Sequence, residues 1–500
     1  MRKIFVLIIS ILCVAFLVSC NMQEQIEQMS DNIKDQIVDM MGQFIEKDTD
    51  SDTLIDDKDT SSQPDLPSDV PSDTVCDVPS DITPDEPNVP DEPDTPVIPE
   101  IPDYLLADRV KYPINKYMGI TISKTTGVPF KNEDYKHKTA YGFGRLEISL
   151  NECMQSAPVT YFSISGMESN ALLSFSLTPV NSERFSNIAS EIYEFANYYC
   201  SSSSLTSKLR RIEIGEAPDT KISADNYALL LNLIYDDNCM ENGEKIGTTF
   251  INPEIRLITG KMSTFNLEYI QDLMSEIKAL RNDEFLPVGG WSFSASTEGK
   301  NPEEVFLNNE ELKALISYRN ENYNTIEIHL SDFAWDTVNT ESTNYVSPSG
   351  DFTSEEIQAN YILRAYLILN GMDVDKASYG MINDTDTEGY GIIAKDGTKK
   401  KAFTMLEYFK KKMNGMYFSE IVANGEEGAY CYKFEDENGK TIYAIWSDNG
   451  LKSYTVRNLP ENVTVSAYYT DTGAYSDEAV EVSSGILSKV ISESVMFIEY

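Results

Sequence analysis

At 500 residues, 41% of them hydrophobic, the chain is long enough for more than one domain and rich enough in apolar side chains for a sizeable core. Its 81 Asp and Glu face only 40 Lys and Arg, a formal charge of -41. That balance excludes the basic footprint of a nucleic-acid binder and repels polyanionic substrates, while neutral glycans remain admissible.

The first element is an export signal. Arg2 and Lys3 precede an apolar run from Ile4 to Val18 that is short for a comfortable transmembrane helix. Leu17-Val18-Ser19-Cys20 follows, an aliphatic residue, a tolerant position, a small residue and a cysteine, the pattern read by lipoprotein signal peptidase. Cys20 is therefore expected to carry diacylglycerol and to tether the chain to the outer face of the cytoplasmic membrane, its acyl chains serving as the anchor.

Residues 20–46 form the lipidated N-terminus and a short amphipathic helix, with Ile26, Met29, Ile33, Ile37, Met40 and Phe44 at steps of three and four. Residues 47–103 read as a disordered, acidic, Pro-rich linker in which no core forms. Pro84, Pro87, Pro90, Pro93, Pro96, Pro99 and Pro102 fall every third residue, the turn of polyproline II. At about 3.1 Å per residue such a stalk holds the folded part up to roughly 100 Å or more from the membrane. Of seven cysteines, Cys153, Cys200, Cys239 and Cys431 fall in the folded part, in spacings that suggest no zinc site and leave three disulfide pairings open. No cofactor and no metal site is implied.

Strand-like and helical runs alternate from residue 104 to 415. Strands are expected at Met118–Ser123, Tyr141–Leu150, Ala171–Pro179, Arg210–Ile214, Ile255–Thr259, Trp291–Ser294, Thr325–Leu330 and Lys376–Ile382. Helices are expected at Ser182–Cys200, Ser223–Tyr235, Asn266–Arg281, Pro302–Tyr318 and Thr353–Leu369, with a last one over Lys401–Met413. Eight such strands predict an α/β fold, a (β/α)8 TIM barrel. Residues 416–500 alternate in the strand period with turns at 435–439, 448–450 and 471–473, which predicts a small antiparallel β-sandwich.

Several motifs in this region occur in a familiar order. Arg211-Ile212-Glu213-Ile214-Gly215-Glu216-Ala217-Pro218-Asp219 closes the fourth strand, and Leu330-Ser331-Asp332-Phe333-Ala334-Trp335-Asp336-Thr337 closes the seventh. Tyr390-Gly391, Asp396-Gly397, Lys400 and Ala402-Phe403 follow, then Tyr443-Ala444-Ile445-Trp446-Ser447 and Ser492-Glu493-Ser494-Val495-Met496-Phe497-Ile498-Glu499. From about residue 205 onward the chain resembles the retaining glycoside hydrolases of clan A, cellulase-like and β-xylosidase-like enzymes with a TIM barrel and an appended sandwich. Arg145 on the second strand also resembles a family position.

The resemblance implies two carboxyl groups about 5 to 5.5 Å apart, a general acid before the Pro of the fourth-strand motif and a nucleophile in the seventh. Both positions depart from it. Ala217 stands where the acid belongs, Glu216 stands in the place of the Asn that reads the 2-hydroxyl, and Asp332 replaces the nucleophilic Glu with a side chain roughly 1.5 Å shorter. Ser294 and Ser296 occupy positions where such enzymes carry His and Tyr. The expectation is a pseudoenzyme that binds oligosaccharide or polysaccharide, or serves as a scaffold, with Glu216 and Asp332 vestigial and Trp335, Trp291 and Arg145 as glycan contacts. Two alternatives stand beside it: an active glycosidase with an altered Glu216/Asp332 pair, and a solute-binding lipoprotein of a sugar transporter. Asp384, Asp386 and Glu388 imitate the start of a calcium loop, but Lys395 at the twelfth position makes a solvated acidic loop the expectation. His329 alternates away from Asp332 and is expected to pack within its strand.

Overall fold

The computed structural model describes residues 111–123, 138–150, 169–178, 180–200, 209–235, 240–241, 244–245, 247–248, 251–252, 255–281, 286–338, 349–350 and 352–500. The lipidation motif at Cys20, the amphipathic run 21–46, the stalk 47–103, Cys153 and Cys239 lie outside them. Barrel and sandwich both belong to one compact unit, Pro93–Tyr500.

Eight parallel strands close into a barrel: β1 (Met118–Ser123), β2 (Phe143–Ser149), β3 (Ser169–Ser174), β4 (Leu209–Glu216), β5 (Arg256–Lys261), β6 (Gly290–Ser294), β7 (Glu327–Asp332) and β8 (Lys376–Tyr379). The sheet runs in chain order and closes where Met118 pairs with Ala377. Around it lie α1 (Ser182–Cys200), α2 (Ala224–Tyr235), α3 (Leu267–Arg281), α4 (Glu310–Asn322), α5 (Ser354–Gly371) and α6 (Lys401–Lys412). The helices bury a stripe at helical spacing, such as Ile270, Leu273, Met274 and Ile277 of α3. Against them pack the outward strand residues, among them Leu146 and Ile148 of β2 and Ile212 and Ile214 of β4.

One predicted helix divides. Residues 302–318 read as continuous, but a π-helical turn, Glu303–Leu307, precedes α4, and Asn309 stands between them in an extended conformation. The Asn309 side chain accepts from the Leu312 N–H, so it serves as an N-cap where periodicity alone suggested a helix interior.

The sandwich places β9 (Tyr417–Asn424), β10 (Ala429–Glu435), β11 (Thr441–Ser447), β13 (Asn462–Tyr469), β14 (Ala474–Glu481) and β16 (Met496–Glu499) in one antiparallel sheet, of order β9-β10-β11-β16-β13-β14. A second, two-stranded sheet pairs β12 (Lys452–Val456) with β15 (Leu487–Ile491). Alternation explains why β11 is buried along its whole length. Ile442, Ala444 and Trp446 turn to the barrel, while Tyr443 and Ile445 turn to the two-stranded sheet, so every residue of the strand is buried. The seam with the barrel also holds a polar group: the Arg364 guanidinium bonds Glu303, and the Trp446 Nε1–H donates to Glu303 at 2.7 Å.

α5 fills the space between barrel and sheet. Its capping box joins Thr353 to Glu356, and the Tyr468 hydroxyl of β13 donates to Glu356 at 2.8 Å, so the same carboxylate that starts the helix fixes the sandwich to it.

Candidate functional site

Hydrogen bonds between strands that are not neighbours must cross the lumen, and here they run through much of the barrel. Branched apolar residues ordinarily fill this space. In this protein Glu327 of β7 accepts from Arg211 of β4 at 2.6 and 2.9 Å, from Arg256 of β5 at 2.9 Å and from the Tyr112 hydroxyl at 2.7 Å. His329, buried two residues further along β7, is 2.8 Å from Glu327 through Nε2. It packs within its strand as expected, but on the lumen side, because a bulge between it and Asp332 breaks the simple alternation that set the two on opposite faces.

A second layer lies above. The Arg145 guanidinium of β2 makes a two-pronged contact with Glu213 of β4 at 2.7 and 2.8 Å, and both side chains are fully buried. Ser292 of β6 donates to Glu213 at 3.0 Å, and Ser331 of β7 is 2.6 Å from Ser292. Burial by itself raises a carboxyl pKa. At Glu213 the Arg145 ion pair and its hydrogen bonds outweigh that effect, and its pKa lies below the usual value.

The strands' carboxyl ends carry the third layer. The Lys261 ammonium at the end of β5 is 2.8 Å from Asp332 and 3.7 Å from Glu147, and Arg145 reaches Glu147 at 3.0 Å. Desolvation pulls Lys261 toward the neutral amine, but the two carboxylates prevail and raise its pKa. Solvent reaches Asp332 and Glu147, 34% and 26% exposed, more readily than Lys261 at 14%. A register shift in the β6–β7 pairing, between Phe293 and Ser294, inserts one extra residue on β7. That bulge lets the consecutive Ser331 and Asp332 both serve the lumen end of the strand.

The fourth strand ends differently. Gly215 and Ala217 both have positive φ, 78° and 48°, so the chain turns sharply on either side of Glu216. Glu216 emerges half exposed, 3.7 Å from Lys221. Ala217 sits in the left-handed region just before the short helix Pro218–Lys221, its N–H bonded to the Lys261 carbonyl. Of the two positions expected to hold vestigial carboxyls, only Asp332 joins the polar column of the lumen, and Glu147 rather than Glu216 shares its lysine.

The tryptophans occupy the core. Trp291 is fully buried, stacked on Tyr318 at 6.1 Å and edge-on to Tyr323. Trp335 is 1% exposed, packed edge-on against Phe333 and Tyr361, with its Nε1–H bonded to the Lys300 carbonyl at 2.9 Å. Neither ring presents a face on which a pyranose can lie, because the helices outside the barrel cover both. Arg145 is likewise buried, one layer below the mouth.

Sequence reading missed Glu147, Lys261 and Glu213 as partners. Glu147 follows Arg145 by two residues on the same face of β2, a signal available from alternation. The fifth strand was expected to end at Thr259, which left Lys261 outside it.

No family model matches the sequence, and no curated protein matches it. Solved structures match its fold. A family 39 glycoside hydrolase from Bacteroides cellulosilyticus WH2 superposes with a TM-score of 0.56 at 14% identity, over 77% of this chain and 81% of that one. A GH30 endoxylanase from Clostridium papyrosolvens C71 gives 0.52 at 13% identity, over 79% and 98%. A glucosidase from Croceicoccus marinus gives 0.53 at 11% identity, over 78% and 97%. The structural neighbours are glycoside hydrolases of clan A, and what the chain shares with them is the TIM barrel with its C-terminal β-sandwich.

Proposed function

We propose that the chain is a lipid-anchored surface protein whose glycosidase-like barrel no longer hydrolyses glycosides and instead holds glycan or acts as a scaffold. The arrangement at the ends of β4 and β7 carries this reading. Retaining hydrolysis needs a protonated carboxyl on one side of the glycosidic oxygen and a free carboxylate on the other. Ala217 has no proton to give, Glu216 leans into solvent beside Lys221, and Lys261 holds Asp332 and Glu147 together. The fold of the neighbours supports a saccharide as the ligand class, and the acidic character of the chain favours neutral sugars.

The test is a glycan-array screen of the purified protein beside a hydrolysis assay on the same oligosaccharides. Binding without turnover is the expected result, and turnover would overturn the reading. Silence in both assays would leave scaffolding as the function. For the anchor, Cys20→Ser replaces a thiol nucleophile with a hydroxyl, so unprocessed precursor should accumulate without fatty-acid label. Normal processing and labelling of that variant would refute lipidation at Cys20.

A further inference from the structure

The loop that follows β8 holds a second cluster of titratable groups, away from the Lys261 triad. Lys400, immediately before α6, is buried to 3% exposure of its side chain, and Asp384 to 14%. The Lys400 amine is nearly equidistant from the two oxygens of Asp384, at 3.2 and 3.4 Å, and is further held by the Thr337 hydroxyl at 2.9 Å and the Gly389 carbonyl at 2.8 Å. Backbone bonds fix the frame: the Asp384 N–H reaches the Ile393 carbonyl, and the Lys400 N–H reaches that of Ile392. A third carboxyl, Asp336, is 1% exposed. Its Oδ1 accepts from the Val338 and Gly389 N–H groups at 2.8 Å each, while its Oδ2 is buried without a hydrogen-bond partner. Buried carboxylate oxygens ordinarily find a donor, which sets this one apart.

We propose that Lys400 and Asp384 are a self-modification site, at which the amine and the carboxyl condense to an intramolecular amide. The amine lone pair attacks Cγ of Asp384, a C–N bond forms and one C–O bond breaks. The displaced oxygen leaves as water with two protons, so an amine and an acid become an amide and one water, with no oxidant or co-reactant. Asp336 lies on the other side of the Gly389 peptide, whose N–H it accepts while the Gly389 carbonyl holds the Lys400 amine. Burial favours this chemistry in both partners, since desolvation lowers the pKa of Lys400 and raises that of Asp384, moving the pair toward neutral amine and neutral acid. Fixed proximity supplies what free amines and acids in water lack, an effective concentration that reaches about 10⁵ M or more in well-oriented intramolecular reactions. The link would close the loop from Asp384 to Lys400 and hold it to Thr337 beyond β7. Asp386 of the supposed calcium loop pairs instead with Lys395.

A tryptic map of the denatured full-length protein tests the proposal. The expected species is the peptide 377–395 carrying the dipeptide Lys400-Lys401, one water lighter than the sum of the two. It should vanish in Asp384→Ala and in Lys400→Arg, which keeps the positive charge but cannot form this amide. Separate peptides in the unmodified protein, with ordinary cleavage after Lys400, would overturn the proposal.

Discussion

Two polar assemblies share one lumen and differ in what surrounds them. The lower one, Glu327 with Arg211 and His329 and Glu213 with Arg145, is closed in by the barrel wall, and Arg256 reaches Glu327 from its solvent-exposed foot. The upper one, Lys261 with Asp332 and Glu147, meets solvent. A charge buried in the first has only its partner to stabilise it, whereas a charge in the second keeps part of its hydration. The lower assembly is therefore architecture, holding strands on opposite sides of the barrel at fixed distance. The upper one is where a ligand can meet the protein, in the place where this fold builds its sites.

Glu213→Gln tests the comparison most severely, because it leaves the buried Arg145 guanidinium without its two-pronged partner and with only the partly exposed Glu147 as counter-charge. A loss of about 3 to 5 kcal/mol in urea unfolding is expected. Trp335→Ala should cost a similar amount, about 3 to 5 kcal/mol, as a cavity effect in the core. If it instead left stability unchanged and weakened glycan binding, the packing described for that ring would be wrong.

Acid should also distinguish the assemblies. Burial raises the Glu327 pKa, but hydrogen bonds and charge from Arg211 and His329 dominate and hold it well below its unfolded value of 4.5. A depressed pKa contributes stability that is fully present above 4.5 and is lost as pH falls through the folded value. Glu213 is shifted in the same direction, so unfolding free energy measured downward from pH 4.5 should decline, and Glu327→Gln should flatten that slope.

Smaller effects belong to the mouth. Lys261→Met removes an ion pair whose carboxylates are partly hydrated, so a change of about 1 kcal/mol is expected by the same unfolding assay. Glu216→Ala, at an exposed position, should stay within about 0.5 kcal/mol. A large loss from Glu216→Ala would mean that this carboxyl belongs to the buried column after all.

The sequence revealed the periodic parts of this molecule and concealed the irregular ones. Each barrel strand and each long helix could be read from spacing, since apolar residues recurring at intervals of two, or of three and four, mark the buried face of a strand or a helix. Arg145 was visible through its resemblance to a family position on the second strand. Its partner was not, because Glu213 lies 68 positions away and only closure of the barrel brings the two together. The turn at Gly215, Glu216 and Ala217 depends on two positive φ angles, and the doubling of Ser331 and Asp332 depends on a bulge, neither of which leaves a periodic trace. The tryptophans misled for a related reason: Trp291 lies at the amino end of β6 and Trp335 beyond the end of β7, and the flanking helices that cover both rings are set by tertiary packing.

The central claim is that the barrel mouth lacks a working acid and nucleophile pair. Steady-state hydrolysis of aryl glycosides by the purified protein tests it most directly, measured alongside Asp332→Ala, Glu147→Gln and Glu216→Gln. The account predicts background rates for the unmodified protein and for all three variants. Turnover in the unmodified protein that disappears on replacing Asp332 together with either glutamate would contradict it and establish an altered carboxylate pair as the active site.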